Sequence, residues 1–317
     1  MNIRDIHIPV LKERTLSLLA PALEANPAVV VDATVGMGGH AESILRRFPQ
    51  VQLIGLDRDE QALTIATQRL IEFESRVRLV HAVYDEIQPV WRDTGWSRPV
   101  GILFDLGVSS LHLDAVDRGF SYAHDAPLDM RMNAKDSLTA AAILAGYDEA
   151  HLRRIFDDYG DEKLSARYAR AIIAERSVRP IERSGHLVAI LQAATPAALM
   201  NSGHPAKRVF QALRIEVNSE LTVLERALPE AIKLLAVTGR IVVMSYQSLE
   251  DKIVKREFAR GSVADVPAGM PVVPEHHLPE LRLLTRGAER AEEPERHLNP
   301  RSLPARLRAA ERVREAA

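Results

Sequence analysis

Four short apolar runs, separated by helical patterns, constrain most tightly what this chain can fold into. The runs are rich in β-branched and aliphatic residues and lie at 29–31, 53–56, 77–80 and 101–104. Between them, 41–48 and 60–73 carry apolar residues at three- and four-residue spacing, which is typical of amphipathic helices. This alternation predicts an α/β domain with a parallel sheet that helices cover on both faces.

A long interruption precedes the next strand-like run, 240–244. The gap far exceeds the roughly 30 residues of a strand–helix–strand unit, and 113–208 contains helical patterns with no strand-like run. We therefore expect a discontinuous sheet domain, 1–112 and 209–317, interrupted by an all-helical domain over 113–208. The chain is expected to return through one long helix whose apolar stripe packs in the core, formed by Val209, Phe210, Leu213, Val217, Leu221, Leu224 and Leu228.

Composition excludes several kinds of chemistry. The 317 residues include no cysteine, which excludes disulfides, thiolate nucleophiles, thiolate zinc sites and iron–sulfur clusters. No apolar run approaches the ~20 residues of a membrane helix, and the N-terminus lacks a signal-peptide pattern. The sequence thus predicts a cytoplasmic protein that does not engage a membrane. The histidines show no convincing metal-ligand spacing, so no metal is expected.

The loop after the first strand, 32–40, is rich in glycine and opens the first helix. Glycines at such a position let backbone N–H groups approach a ligand at the carboxyl edge of the sheet. The spacing lacks the G-x-G-x-x-G pattern of dinucleotide sites, and Asp57 ends the next strand, where its carboxylate can accept both ribose hydroxyls. An adenosyl ligand without a pyrophosphate fits this combination, and S-adenosylmethionine is the commonest such ligand.

Acidic residues end three of the predicted strands: Asp32, Asp57 and Asp105. Single aspartates at such positions are often helix caps or turn residues. Three of them at one sheet edge suit a cationic sulfonium, which favours a shared role in cofactor binding.

The chain resembles the bacterial 16S ribosomal RNA cytosine-N4 methyltransferases called RsmH, formerly MraW. The most specific blocks are Asp-Leu-Gly-Val-Ser-Ser at 105–110 and Pro-Leu-Asp-Met-Arg-Met at 127–132. Further matching blocks extend over nearly the whole chain, at 7–11, 32–40, 56–59, 117–121, 159–162, 204–208, 210–214, 217–221 and 248–251. The resemblance implies a Rossmann-like class I S-adenosylmethionine-dependent methyltransferase sheet with the helical domain as an RNA-recognition insertion. It also implies methylation of N4 of the decoding-centre cytidine, position 1402 in standard 16S rRNA numbering.

The resemblance also implies a set of cofactor-binding residues: Gly38, Gly39, His40, Asp57, Tyr84, Asp105 and His112. Tyr84 stands where the family usually has Phe and keeps a flat face for the adenine. His112 stands where the family usually has Gln. The block Ser245-Tyr246-Gln247 replaces a usual Ser-Phe-His, so no titrating imidazole acts there.

The N4 amine of cytosine is a poor nucleophile because its lone pair is delocalised into the ring. Methyl transfer to it depends on positioning and on acceptors for the amine hydrogens. We assign Asp105 or its neighbouring carbonyls as this acceptor, with Ser109 second.

Arginine makes up 34 of the 41 basic residues, although the net charge is only −2. Lys163, Arg167 and Arg170 fall on one predicted helical face, which suits contact with RNA phosphates as well as with solvent. Arg208 is a further candidate RNA contact. Other candidates are Arg176, Arg179, Arg183, Arg214, Arg301, Arg306 and Arg308.

Alternative functions stay open. An amine methyltransferase acting on DNA or another RNA has the same chemistry. A nicotinamide-dependent oxidoreductase predicts a G-x-G-x-x-G turn that the chain lacks, and a non-catalytic RNA-binding module leaves the 38–40 loop and Asp57 without a purpose. The oligomeric state, monomer or homodimer, is open as well.

Overall fold

A computed structural model describes residues 9–24, 28–109, 111, 115–200, 203–264, 274 and 277–315. Its sheet strands are β1 (Ala28–Asp32), β2 (Val51–Asp57), β3 (Val77–His81), β4 (Gly101–Asp105), β5 (Arg240–Ser245), β6 (Leu281–Leu283) and β7 (Arg306–Arg312). They form one seven-stranded sheet in the order β3-β2-β1-β4-β5-β7-β6. The first five strands pair in parallel, and β7 runs antiparallel to both β5 and β6. The predicted α/β fold class is confirmed.

The α-helices in the described residues are α1 (Lys12–Leu23), α2 (Gly39–Arg47), α3 (Glu60–Arg69), α4 (Ile87–Thr94), α5 (Ala140–Gly146), α6 (Glu149–Asp158), α7 (Ser165–Arg176), α8 (Ser184–Ala194), α9 (Ala206–Asn218), α10 (Glu220–Leu234), α11 (Ser248–Gly261) and α12 (Glu293–Leu298). The chain divides into two compact units. A sheet unit comprises Met1–Gly107 and Leu221–Ala317, and a helical unit comprises Val108–Glu220. Among the described residues, no helix has the length and apolar character needed to cross a membrane.

The sheet is buried on both faces. Alternate residues of β1 point to opposite sides, so that Val30 packs in one hydrophobic cluster and Val29 and Val31 pack in another. The first cluster includes α1 and α2 side chains, whereas the second includes side chains of α10 and α11. This two-sided burial explains why β1 reads as a continuous apolar run.

The helical unit has its own core, which includes Phe156, Tyr168 and Phe210. The predicted single helix over 209–228 is wrong, because Ser219 adopts a left-handed φ of 50° and separates α9 from α10. The apolar stripe is divided accordingly: Val209 and its α9 neighbours pack in the helical unit, and Leu224 and Leu228 pack in the sheet unit. The compact helical unit therefore extends beyond the expected 113–208 at both ends.

The Arg-rich end of the chain contains a sheet strand that the sequence pattern did not predict. β7 is largely buried despite its charges because they are paired. Arg308 donates to Asp251, and Glu311 accepts from Arg240 and Arg282. Burial removes the hydration of a charged side chain, and an opposite charge with hydrogen bonds compensates for that loss. An unpaired buried charge has no such compensation.

Candidate functional site

The carboxyl ends of four adjacent strands define the candidate site. Asp57, Asp32, Asp105 and Ser245 are the last residues of β2, β1, β4 and β5, which are neighbours in the sheet. Between β1 and β4 the strand order reverses, and open α/β sheets bind their ligands in the crevice at such a point. The three predicted aspartates therefore lie at one edge.

Asp57 anchors the glycine loop to the second strand. Its Oδ2 accepts a hydrogen bond from the Gly36 N–H at 2.8 Å, and its Oδ1 accepts one from the Asp59 N–H at 2.9 Å. Both carboxylate oxygens are therefore held beside the glycine loop at the carboxyl end of β2.

The glycine loop depends on conformations that other residues adopt at a cost. Gly38 caps α2 with φ of 80°, in the left-handed region. A Cβ at Gly39 would lie 2.7 Å from Pro9 Cγ. Gly39 is the first residue of α2, whose positive end suits negative or polar ligand groups.

Asp105 sits among three polar groups. Its Oδ1 accepts a hydrogen bond from the Tyr246 hydroxyl at 2.8 Å, and its Oδ2 lies 3.7 Å from His40 Nε2. Its backbone N–H donates to Thr34 Oγ1 at 2.6 Å. Burial raises the pKa of Asp105 to about 6, partly offset by the Tyr246 hydrogen bond. The carboxyl group is therefore mainly ionised at pH 7 and accepts hydrogen bonds.

Asp32 is in a different state. It is 1% exposed, and its Oδ1 accepts from the Thr34 N–H at 3.3 Å. Burial raises its pKa to about 8, the Thr34 hydrogen bond lowers it, and the charges of Asp105 and Asp57 raise it. Asp32 is thus mainly neutral at pH 7. It therefore does not supply the full negative charge that was expected to complement a cationic sulfonium.

Three site residues were missed by sequence reasoning. Tyr246 donates to Asp105, Thr34 accepts the Asp105 N–H, and Glu250 accepts from the backbone N–H groups of Tyr246 and Gln247. The position of Tyr246 in the sequence could have identified it as a site residue, because it directly follows β5, the sheet neighbour of β4.

The remaining predicted cofactor and acceptor residues fall in different parts of the chain. Tyr84 begins a short 3₁₀ turn after β3, and its ring packs edge to face on Phe104 at 5.7 Å between centroids. Ser109 belongs to the helical unit, whereas Asp105 belongs to the sheet unit. His112 lies outside the described residues.

The four predicted RNA-contacting residues are exposed. Within the described ranges, no carboxylate forms an ion pair with Lys163, Arg167, Arg170 or Arg208. Arg208 donates to the Asp161 carbonyl at 2.6 Å. These side chains therefore keep most of their donors available.

Several other candidate arginines have structural partners. Arg214 pairs with Glu220, and Arg306 and Arg308 pair with Asp251, whose pKa is lowered despite its burial. Arg176 donates to the carbonyls of Leu144 and Tyr147. Arg179 and Arg183 pair with Glu175 and Asp125. These contacts account for the guanidinium groups without RNA.

The residues present fit an adenosyl cofactor. Asp57 places a carboxylate beside the glycine loop, Gly36, Gly38 and Gly39 carry no side chain that could block a close approach, and Asp105 adds a second carboxylate at the same edge. In the part of the chain that the structure describes, no group of three or more His, Asp and Glu side chains is arranged to hold a metal ion.

The strand order and the carboxylate-lined edge define a Rossmann-like class I methyltransferase fold. The chain belongs to the MraW methylase family, whose model matches residues 4–313. The resemblance seen in the sequence is thereby confirmed.

Curated relatives cover nearly the whole chain. A protein of Leifsonia xyli subsp. xyli named ribosomal RNA small subunit methyltransferase H is 63% identical over 310 residues, covering 98% of this chain and 95% of its own. A protein of the same name from Clavibacter michiganensis subsp. michiganensis is 59% identical over 314 residues, covering 99% of each chain. Among solved structures, an rRNA methylase from Streptococcus thermophilus is 11% identical with a TM-score of 0.42, covering 96% of this chain and 94% of that chain.

Proposed function

We propose that this chain transfers a methyl group from S-adenosylmethionine to N4 of the decoding-centre cytidine in 16S rRNA of the small ribosomal subunit. The observation that carries the proposal is the near-full-length similarity to relatives named ribosomal RNA small subunit methyltransferase H. The geometry of Asp105 supports the amine as the methyl acceptor.

The cofactor supplies an electrophilic methyl group, and the protein holds both reactants. Asp57 binds the ribose hydroxyls, the backbone at Gly38 and Gly39 approaches the cofactor together with His40, and Tyr84 presents its ring to the adenine. Asp105, which also acts on the amine, and His112, which lies outside the described residues, complete the proposed set.

Asp105 acts on the amine. Its ionised carboxylate accepts an N4 hydrogen and so keeps electron density on the nitrogen as the new N–C bond forms. The amine becomes acidic only as that bond develops, so no strong base has to act earlier. The raised pKa of Asp105, about 6, makes the carboxylate a better proton acceptor than an ordinary aspartate while leaving it ionised at pH 7. Ser109 is the second proposed acceptor.

The helical unit recognises RNA in this proposal. Lys163, Arg167 and Arg170 are exposed in or beside α7, and Arg208 is exposed near the start of α9. Cationic side chains spread over one unit suit a structured RNA, which proteins contact largely through phosphate and shape.

The decisive experiment incubates the purified chain with S-adenosylmethionine and unmethylated small ribosomal subunits, followed by mass analysis of nucleosides. N4-methylcytidine at the decoding centre is the expected product. Parallel reactions with duplex DNA and with free RNA distinguish the alternative amine substrates. Bound cofactor with intact subunits and no N4-methylcytidine would overturn the proposal.

The Asp105→Asn variant tests the acceptor. We expect it to bind S-adenosylhomocysteine within a few-fold of the unmodified chain while the single-turnover rate falls by about 10²-fold or more. Ser109→Ala, analysed alongside, measures the second acceptor. An undiminished rate in Asp105→Asn would show that its carboxylate is not the acceptor.

A further inference from the structure

Three aromatic rings in the helical unit form a column from its core to its surface. Phe210 is 3% exposed and packs edge to face against Tyr122, with ring centroids 5.8 Å apart and planes at 81°. Tyr122 in turn stacks on the exposed His204 ring, with centroids 4.4 Å apart and planes at 20°. The column thus ends in an exposed ring that stacks on Tyr122 through one face.

Hydrogen bonds hold the outer ring in place. His204 Nδ1 accepts from the Ala206 N–H at 3.2 Å, and the His204 carbonyl accepts from the Lys207 N–H at 3.1 Å. The side chain therefore caps the first turn of α9 while its ring lies on Tyr122. A ring fixed in this way loses little conformational entropy when a planar ligand stacks on it.

Cationic side chains adjoin the ring in the sequence. Lys207 and Arg208 are exposed, and among the described residues neither forms an ion pair with a carboxylate. Arg208 is oriented by its hydrogen bond to the Asp161 carbonyl. An exposed, immobilised ring beside available cations is the combination that binds an unpaired base and its phosphate backbone.

We propose that the outer face of His204 is a stacking platform for one unpaired nucleobase of the RNA, with Lys207 and Arg208 holding the adjoining phosphates. This inference rests on the proposed function and adds a binding site within the helical unit. The histidine motif at 204–208 then has a direct use in substrate binding beyond capping a helix.

Paired variants separate the ring from the cap. His204→Asn has no ring but keeps a side-chain acceptor for the Ala206 N–H, because asparagine accepts from the backbone two residues on in Asx-turns. His204→Phe keeps a ring but cannot cap. The probe is a short single-stranded oligocytidylate with one 2-aminopurine, whose fluorescence falls when it stacks, and anisotropy of a labelled copy gives the affinity.

His204→Asn, which removes the ring, is expected to weaken binding of the oligonucleotide by about 5- to 10-fold. This loss of affinity is at the lower end of the range for removing an aromatic side chain on which a base stacks. His204→Phe should bind within about 2-fold of the unmodified chain and keep the 2-aminopurine quenching. The matched control is His151→Asn, which removes another exposed histidine of the helical unit beside a tyrosine, Tyr147, with ring centroids 5.9 Å apart. It should leave binding unchanged.

The platform is overturned if His204→Asn binds as tightly as the unmodified chain, or if affinity follows the cap rather than the ring. Failure of the unmodified chain to bind the oligonucleotide overturns it as well. Methyl transfer to small subunits by the unmodified chain, measured separately, decides the proposed function. A chain that methylates subunits but shows no ring dependence retains that function without the platform.

Discussion

The Tyr246 hydroxyl donates a hydrogen bond to Asp105 Oδ1 at 2.8 Å. Sheet pairing produces this contact, because Asp105 is in register with Met244 and the chain then turns at Ser245 toward α11. Glu250 accepts the Tyr246 N–H at 2.8 Å and so fixes the backbone of the donor. Burial and the neighbouring Asp105 charge raise the pKa of Tyr246 well above its ordinary value, which keeps the hydroxyl protonated as a donor.

Tyr246→Phe is expected to raise the pKa of Asp105. The hydroxyl stabilises the ionised carboxylate, so its removal favours the protonated form. Protonated Asp105 accepts poorly, and the acid limb of kcat/KM for methyl transfer should move from near pH 6 toward pH 7. The measurement is a pH profile between pH 5 and 9.

A matched tyrosine provides the control for that profile. Tyr147 donates to Glu216 at 2.7 Å within the helical unit, so Tyr147→Phe removes a similar tyrosine–carboxylate bond that does not involve Asp105. Its profile should match that of the unmodified chain. Identical acid limbs for Tyr246→Phe and the unmodified chain would contradict a role for Tyr246 in setting the Asp105 charge.

Asp32→Asn is expected to make the chain more stable at high pH. The pKa of Asp32 is about 8 in the folded chain and near 3.8 when unfolded, so the folded state binds more protons between these values. Stability therefore falls as pH rises, by about 1.4 kcal/mol for each pH unit across that window. The neutral amide lacks this dependence, so its Tm should rise relative to that of the unmodified chain from pH 6 to about pH 8, and the difference should then level off.

Asp125, whose pKa is lowered in the fold, provides the control for the raised pKa of Asp32. Arg183 and the Gly185 N–H lower the pKa of Asp125. Its contribution to stability is present above its unfolded pKa and is lost only in acid. Asp125→Asn should leave the slope of Tm between pH 6 and 9 unchanged. Equal slopes for Asp32→Asn and the unmodified chain would show that Asp32 is ionised in the fold.

The sequence pattern predicted the carboxyl edge of the sheet because each strand end is marked by residues that are adjacent in the sequence. Parallel strands end where their apolar runs end, so Asp32, Asp57 and Asp105 could be assigned to one edge from strand order alone. The register that brings Tyr246 to Asp105 is a long-range pairing, which no local spacing reveals.

Two misses in the fold have similar causes. The break at Ser219 interrupts a stripe of apolar residues that continues at helical spacing, so periodicity alone predicts one helix. β7 was hidden by its arginines, whose burial depends on partners distant in sequence, such as Asp251. In both places tertiary packing overrides the local pattern.

Gly38→Ala is expected to lose cofactor affinity. An alanine at φ of 80° costs about 1–2 kcal/mol, and relief of that strain reshapes the loop that opens α2. Titration calorimetry with S-adenosylhomocysteine should show at least about tenfold weaker binding, or 1.4 kcal/mol.

Another left-handed glycine isolates the effect of strain. Gly95 has φ of 65°, and a Cβ there would meet nothing within 4 Å. Gly95→Ala should lose comparable stability while binding S-adenosylhomocysteine normally. Normal binding by Gly38→Ala would place the cofactor elsewhere than this loop.

Replacing Arg167 and Arg170 together with Gln is expected to reduce the salt dependence of RNA binding. Each lost phosphate contact lowers the slope of log K against log salt concentration by about 0.7–0.9, so the double variant should lose about 1.5. The control replaces Arg179 and Arg183, which carry the same charge but pair with Glu175 and Asp125. It should change the slope much less, because its guanidinium groups already have acidic partners. Equal losses in the two double variants would mean that net charge, rather than the exposed α7 face, governs RNA binding.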